Sequence, residues 1–146
     1  MHGEGITFWA QNPAEQIKNF PKYHFENGSA KNSPTQTDGW YKPSVRMFKN
    51  ARERIIGGDG TRRKQFPSYF VECLQYNVPN GLYGSSYQST YFKVINYLVK
   101  VLSTTESDRF VCQNYKRLLF GTGSTQWNKS DAQAFVAHLV HLWDSW

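Results

Sequence analysis

Cysteine is scarce in this sequence: only Cys73 and Cys112 occur, far apart, with no CxxC and no Cys/His cluster. That excludes a disulfide framework and a structural zinc site, and makes a reducing cytoplasm the default setting. Long apolar runs are missing too; none approaches the roughly 20 residues a bilayer helix requires, so no membrane partner is expected. The start MHGEGITFWAQN lacks the basic-then-apolar order of a secretory signal. No GxSxG and no phosphate loop ending in GK[ST] is present, and GTGSTQ at 121–126 reads as a turn. No DxD occurs, and no close acidic pair reads as lying on one strand. A two-metal phosphoryl-transfer centre needs such a pair, so this chain alone is expected to carry no metal and no cofactor. His2, His24, His138 and His141 are dispersed; the last two, at i and i+3, have no obvious third ligand.

What is present is one domain's worth of chain, 146 residues, with 16% aromatics against only 19% charged residues. Disordered chains show the opposite balance. The formal charge of +6 and pI near 9.4 point to an anionic partner, nucleotides and nucleic acid among them.

Periodicity predicts a mainly α fold, a bundle of about five helices over a single domain, 1–146. Residues 1–20 read as a β-hairpin around Asn12-Pro13, and PKYHFEN as a short helix stopping near Gly28. SAKNSPTQTDG reads as a loop. In WYKPSVRMFKNARERII, Val45, Phe48, Ala51 and Ile55 make one apolar stripe, and Lys42, Arg46, Lys49 and Glu53 a mostly basic ridge. Gly57-Gly58-Asp59-Gly60 ends that helix, and TRRKQ is expected to be a mobile basic loop. Phe66-Pro67-Ser68 opens the next helix, with Phe70, Cys73 and Leu74 buried. The longest helix is expected over Ser86–Thr104, with Tyr87, Tyr91, Val94, Ile95, Leu98, Val99 and Leu102 facing in. RFVCQ and RLLFG pair as a second small hairpin near 110–120. A last helix from about Asn128 buries Phe135, Val136, Leu139, Val140 and Trp143.

The segments VRMFKNARERI and FPSYFVECLQYNVPN carry more. Together with GITFW, NFPKYHFENG, FVCQN and the closing W-x-x-x-x-A-x-x-F-x-x-x-L-x-x-x-W pattern, they resemble a known family over nearly the whole chain. It is the C-terminal helical domain of the cGAS/DncV-like and oligoadenylate-synthase-like nucleotidyltransferases of bacterial antiphage signalling, which make cyclic oligonucleotides from NTPs. The resemblance implies that Lys49 and Ser68 contact nucleotide phosphates and Tyr69 stacks on a base. An ammonium and a hydroxyl suit a triphosphate, and a phenol ring stacks on any base. The competing reading has Lys49 merely solvated and Tyr69 packed beside the hairpin. Glu72 is expected to be structural, paired with Arg46 or Lys42, with Arg46 in a supporting role.

The family's upstream GS motif, D-x-D/E pair and third carboxylate, which hold two Mg²⁺ ions, have no counterpart here; GSSYQ at 84–88 enters a helix instead. The resemblance therefore implies an NTP-binding helical half, inactive alone, whose hairpin joins the sheet of a missing or separate catalytic half. The other expectation is a basic module that binds RNA, DNA or a protein partner.

Overall fold

The computed structural model describes residues 29–112 and 117–145. The expected hairpin at 1–20 and the PKYHFEN helix lie outside them. The fold is mainly helical. Five α-helices are bounded: α1 (Tyr41–Ile56), α2 (Gly60–Gln65), α3 (Ser68–Tyr76), α4 (Tyr87–Val101) and α5 (Lys129–Ser145). A helical turn at 29–31 precedes them, and 3-10 turns span Asn80–Leu82 and Thr105–Arg109.

α1 is the hub, packing against α3, α4 and α5. Its stripe is buried as expected, with Phe48 and Ala51 at 0% exposure. Its first amides are capped from a distance. Thr37 Oγ1 accepts from the Tyr41 N–H at 3.0 Å, and Asn32 Oδ1 from the Lys42 N–H at 2.9 Å. The segment expected as a plain loop thus folds into turns that hold the start of α1. Gly57 ends the helix at φ 53°, a left-handed cap that glycine adopts without strain.

TRRKQ is not a mobile loop. Asp59 accepts from the amides of Thr61 and Arg62 and starts α2. Arg62 then donates to the Ile55 carbonyl at 2.7 Å, and Arg63 pairs with Glu53 at 3.0 Å. On α3 the buried face is Val71, Cys73 and Leu74, while Phe70 is half-buried.

α4 starts at its Ser86 cap. At 15 residues it is shorter than α5 with 17. Phe48 of α1 stacks on Tyr91 of α4 at 5.1 Å, and the Tyr91 hydroxyl donates to the Leu139 carbonyl of α5 at 2.8 Å. Each such buried ring contributes roughly 1.5–3 kcal/mol. Four residues expected inside are exposed: Tyr87, Val99, Val140 and Trp143. The periodicity gives the right helices but too wide an inward face, since these four side chains stay exposed.

The second hairpin is reduced to an isolated antiparallel bridge, Val111 to Leu118, with the Cys112 N–H donating to the Arg117 carbonyl at 2.8 Å. GTGSTQ is a turn, closed by Gln126 Oε1 accepting from the Gly123 N–H. The chain's E-x-D, Glu106-Ser107-Asp108, lies on a 3-10 turn where Asp108 pairs with Lys129. Among the described residues no helix is long and apolar enough to cross a membrane.

Candidate nucleotide-binding face

The link that delivers α3 is fixed from three directions. Arg52, buried on α1, donates Nε to the Phe66 carbonyl at 2.5 Å. The Trp127 indole donates to the Gln65 carbonyl at 3.0 Å, and the Gln65 amide donates to Asp131 on α5 at 3.1 Å. Phe66 itself is fully buried against Phe135. Pro67 follows as the cap of α3, so Ser68 and Tyr69 open that helix at a place set by the core rather than by the surface.

Across from them, α1 presents its ridge. Lys49 Nζ donates to Glu72 Oε1 at 2.8 Å. This corrects the expectation that Glu72 pairs with Arg46 or Lys42. The α1–α3 packing brings position 49 over position 72, and Lys42 donates instead to Ser29 Oγ at 3.0 Å. Ser68 and Glu72 stand at i and i+4 and share one face of α3. Ser68 thus lies one turn before the Lys49–Glu72 pair on that face of α3, and the Lys49 side chain is 37% exposed.

Tyr69 is half-buried, its ring 5.6 Å from that of Phe70. Its phenol reaches inward to the thiols of Cys73 and Cys112. Burial first, then these neighbours, push its pKa far above the ordinary tyrosine range. Arg46 is exposed and lies on the other flank of the ridge, at a groove of about 670 Å³ between α1, α4 and α5. Met47, Asn50, Tyr87, Tyr91 and Trp143 also line that groove. Two of the four misjudged inward positions, Tyr87 and Trp143, line it.

His138 packs edge-on to Phe66, and desolvation, Arg62 and His141 lower its pKa. Among the described residues no group of three His, Cys, Asp or Glu could hold a metal ion.

The described residues form a mainly helical lobe in which Lys49 of α1 pairs with Glu72 of α3, one turn after Ser68. The profile of the cGAS/DncV-like nucleotidyltransferase C-terminal helical domain matches residues 26–144, and the chain belongs to that family. It is 42% identical over 143 residues to the cyclic UMP-AMP synthase of Rhodothermus marinus, covering 98% of this chain and 47% of that protein. To the cyclic nucleotide synthase CdnE01 of Staphylococcus haemolyticus it is 35% identical, covering 97% and 46%. The structure of the Rhodothermus marinus CdnE synthase with Apcpp and Upnpp superposes with TM-score 0.78 at 44% identity, over 88% of this chain and 41% of that one. That of Elizabethkingia meningoseptica CdnE with GTP and Apcpp gives 0.74 at 30%, over 84% and 44%. The chain spans about half the length of the curated relatives it matches. It is the C-terminal helical part of a cGAS/DncV-like nucleotidyltransferase.

Proposed function

We propose that this chain is the nucleotide-holding lobe of an enzyme that joins NTPs into cyclic oligonucleotide signals, working in the cytoplasm. Lys49 and Ser68 hold phosphates, Tyr69 offers its ring to a base, Glu72 poises the Lys49 ammonium, and Arg46 supports the ridge. On this reading the chain alone makes no product, since metal ions and the attacking hydroxyl's activation belong to a catalytic half. The observation that carries it is the Lys49–Glu72 pair, one turn from Ser68 on α3, in a chain of this family. The parts divide by chemistry. A triphosphate presents several anionic oxygens, so charge-assisted bonds from Lys49 outweigh the partly exposed pairing with Glu72, which is worth about 0–1 kcal/mol.

Equilibrium binding of a non-hydrolysable ATP analogue tests this directly. Lys49→Ala should weaken binding roughly 10- to 100-fold, the loss of a hydrogen bond to a charged group of about 1.5–3 kcal/mol, with the helical circular dichroism unchanged. Equal affinity in wild type and variant would remove Lys49 from the site. Steep, salt-sensitive binding of single-stranded RNA without nucleotide binding would favour the nucleic-acid module instead.

A further inference from the structure

The groove between α1, α4 and α5 lies on the other flank of the α1 ridge from Glu72, and its walls are built from the core outward. Phe48 of α1 stacks on Tyr91 of α4 at 5.1 Å and 7°, and Tyr91 stacks on Trp143 of α5 at 5.5 Å and 15°. Phe48 and Tyr91 are buried, which anchors the column, yet Trp143 at its outer end is 40% exposed. Tyr87 is 51% exposed and is propped edge-on by Trp40. Both exposed rings line the groove. A ring that the core already holds, but that water still reaches, is a stacking platform with little left to lose in ordering.

The polar lining is of one kind. Arg46 and Asn50 stand at i and i+4 on α1 and share a face. Gln88 lies in the first turn of α4, where the helix end carries partial positive charge. Among the described residues none of these three side chains has a hydrogen bond or an ion pair, and no carboxylate lines the groove. The charge offered is a single guanidinium, in a chain of net charge +6.

That combination selects a ligand. The two exposed rings suit a planar base, and the carboxamides of Asn50 and Gln88 each bring a donor and an acceptor to a base edge. A guanidinium pairs in fork geometry with the two free oxygens of one phosphate. A triphosphate calls for several cations, whereas a phosphodiester, with one negative charge, calls for one. The cavity of about 670 Å³ falls in the range of small-molecule sites, roughly 300–1,000 Å³.

We propose that this groove is a second nucleotide site, one that takes a phosphodiester-linked nucleotide of the kind found in a cyclic dinucleotide. The base lies against Trp143 and Tyr87, and Arg46 holds the phosphodiester. That the chain meets such a ligand rests on the synthase reading above; the chemistry of the groove does not.

Isothermal titration of the full chain with a cyclic purine–pyrimidine dinucleotide tests this. The wild type should bind one equivalent. Arg46→Ala should weaken binding roughly 10-fold or more, and Arg46→Lys should weaken it too, because an ammonium cannot reproduce the fork. Position 46 is exposed, so helical circular dichroism should stay unchanged in both variants. Trp143→Phe keeps a stacking ring; affinity should hold within a few-fold while most of the ligand-induced quenching of tryptophan emission disappears. Lys49→Ala should leave dinucleotide binding as it is, and a saturating ATP analogue should not displace the dinucleotide. Absence of binding at millimolar ligand overturns the proposal, as does equal affinity in Arg46→Ala, undiminished quenching in Trp143→Phe, or displacement by the ATP analogue. An ATP analogue bound equally by wild type and Lys49→Ala refutes the Lys49 site alone and leaves the groove standing.

Discussion

Replacing Lys31 by Met should destabilise the chain by an amount that grows with pH between about 8 and 10. Lys31 is only 6% exposed. Its ammonium donates to the Val78 carbonyl at 2.9 Å and to Asn80 Oδ1 at 2.7 Å. It also sits 5.4–5.7 Å from the ring centres of Tyr41, Tyr76 and Tyr83. Methionine keeps the stem and its packing but leaves both oxygens without their donor, which costs about 1–3 kcal/mol per buried acceptor. Burial pulls the Lys31 pKa down to about 8, while in the unfolded chain it titrates near 10.4. Between those values the unfolded state binds more protons than the folded one, so wild-type stability rises with pH. At about 1.4 kcal/mol per unit the linkage has a ceiling of roughly 3 kcal/mol. The tyrosine faces and the two acceptors favour the ammonium, so about half of that is expected. The Met variant has no such group and no such rise. Urea unfolding at pH 7, 8, 9 and 10, followed by far-ultraviolet circular dichroism, reads the gap between the two proteins. A gap that stays constant or narrows as pH rises would refute the account, because the buried ammonium would then carry no penalty.

Above pH 10 the sign reverses. Burial raises the pKa values of Tyr41, Tyr83 and Tyr91 above the ordinary range, so the stability they contribute is complete below about 10 and is lost as the unfolded phenols ionise first; denaturation midpoints should fall steeply there, in the Lys31→Met chain as well. Asn77→Ala removes three hydrogen bonds and orphans both backbone groups of Val111; a loss of about 2–4 kcal/mol is expected, with amide exchange quickening at Val111 and Cys112 before the helices. Asp59→Ala deletes the α2 cap and should cost about 0.5–2 kcal/mol in urea melts. Glu72→Gln releases the Lys49 ammonium and should strengthen binding of the ATP analogue a few-fold, an effect that should vanish when Lys49 is already Ala.

The helices were legible because burial leaves a period of 3.6 in the apolar residues, and α1 shows it without interruption from Val45 to Ile55. What the pattern does not contain is the far side of each contact. Tyr87, Val99, Val140 and Trp143 fit an inward stripe, yet all four are exposed, although Tyr87 packs edge-on against Trp40 and Trp143 stacks on Tyr91. α2 escaped notice because it buries nothing, so its only signal is the Asp59 cap before Thr61 and Arg62. Glu72 was assigned to the wrong cation of the ridge for a geometric reason. Lys42, Arg46 and Lys49 are equivalent on a helical wheel, and only the position where α1 crosses α3 selects Lys49. The Asn77 link between α3 and Val111 is non-local in the same way, and no spacing in the sequence announces it.

A carboxylate beside a lysine proposed to hold phosphate looks self-defeating, and the magnitudes decide whether it is. The Glu72 side chain is 18% exposed and that of Lys49 37%, so the pair sits where water still screens it and is worth about 0–1 kcal/mol. Without a ligand, Glu72 fixes a long flexible side chain that otherwise loses up to about 2 kcal/mol of rotamer freedom on being held. On the proposed function, an arriving polyanion lets Lys49 exchange one carboxylate for several phosphate oxygens, with Ser68 one turn away on the same face of α3. Glu72 then repels the phosphate it helped to prepare for, which sets affinity below the maximum and speeds release. That trade suits the proposed role, in which the lobe lets go of a product after each round of synthesis. It also explains why the predicted gain from Glu72→Gln is an equilibrium gain, to be accompanied by slower dissociation of the analogue in stopped-flow measurements; faster dissociation from that variant would mean that Glu72 orients the lysine and does not compete with the ligand.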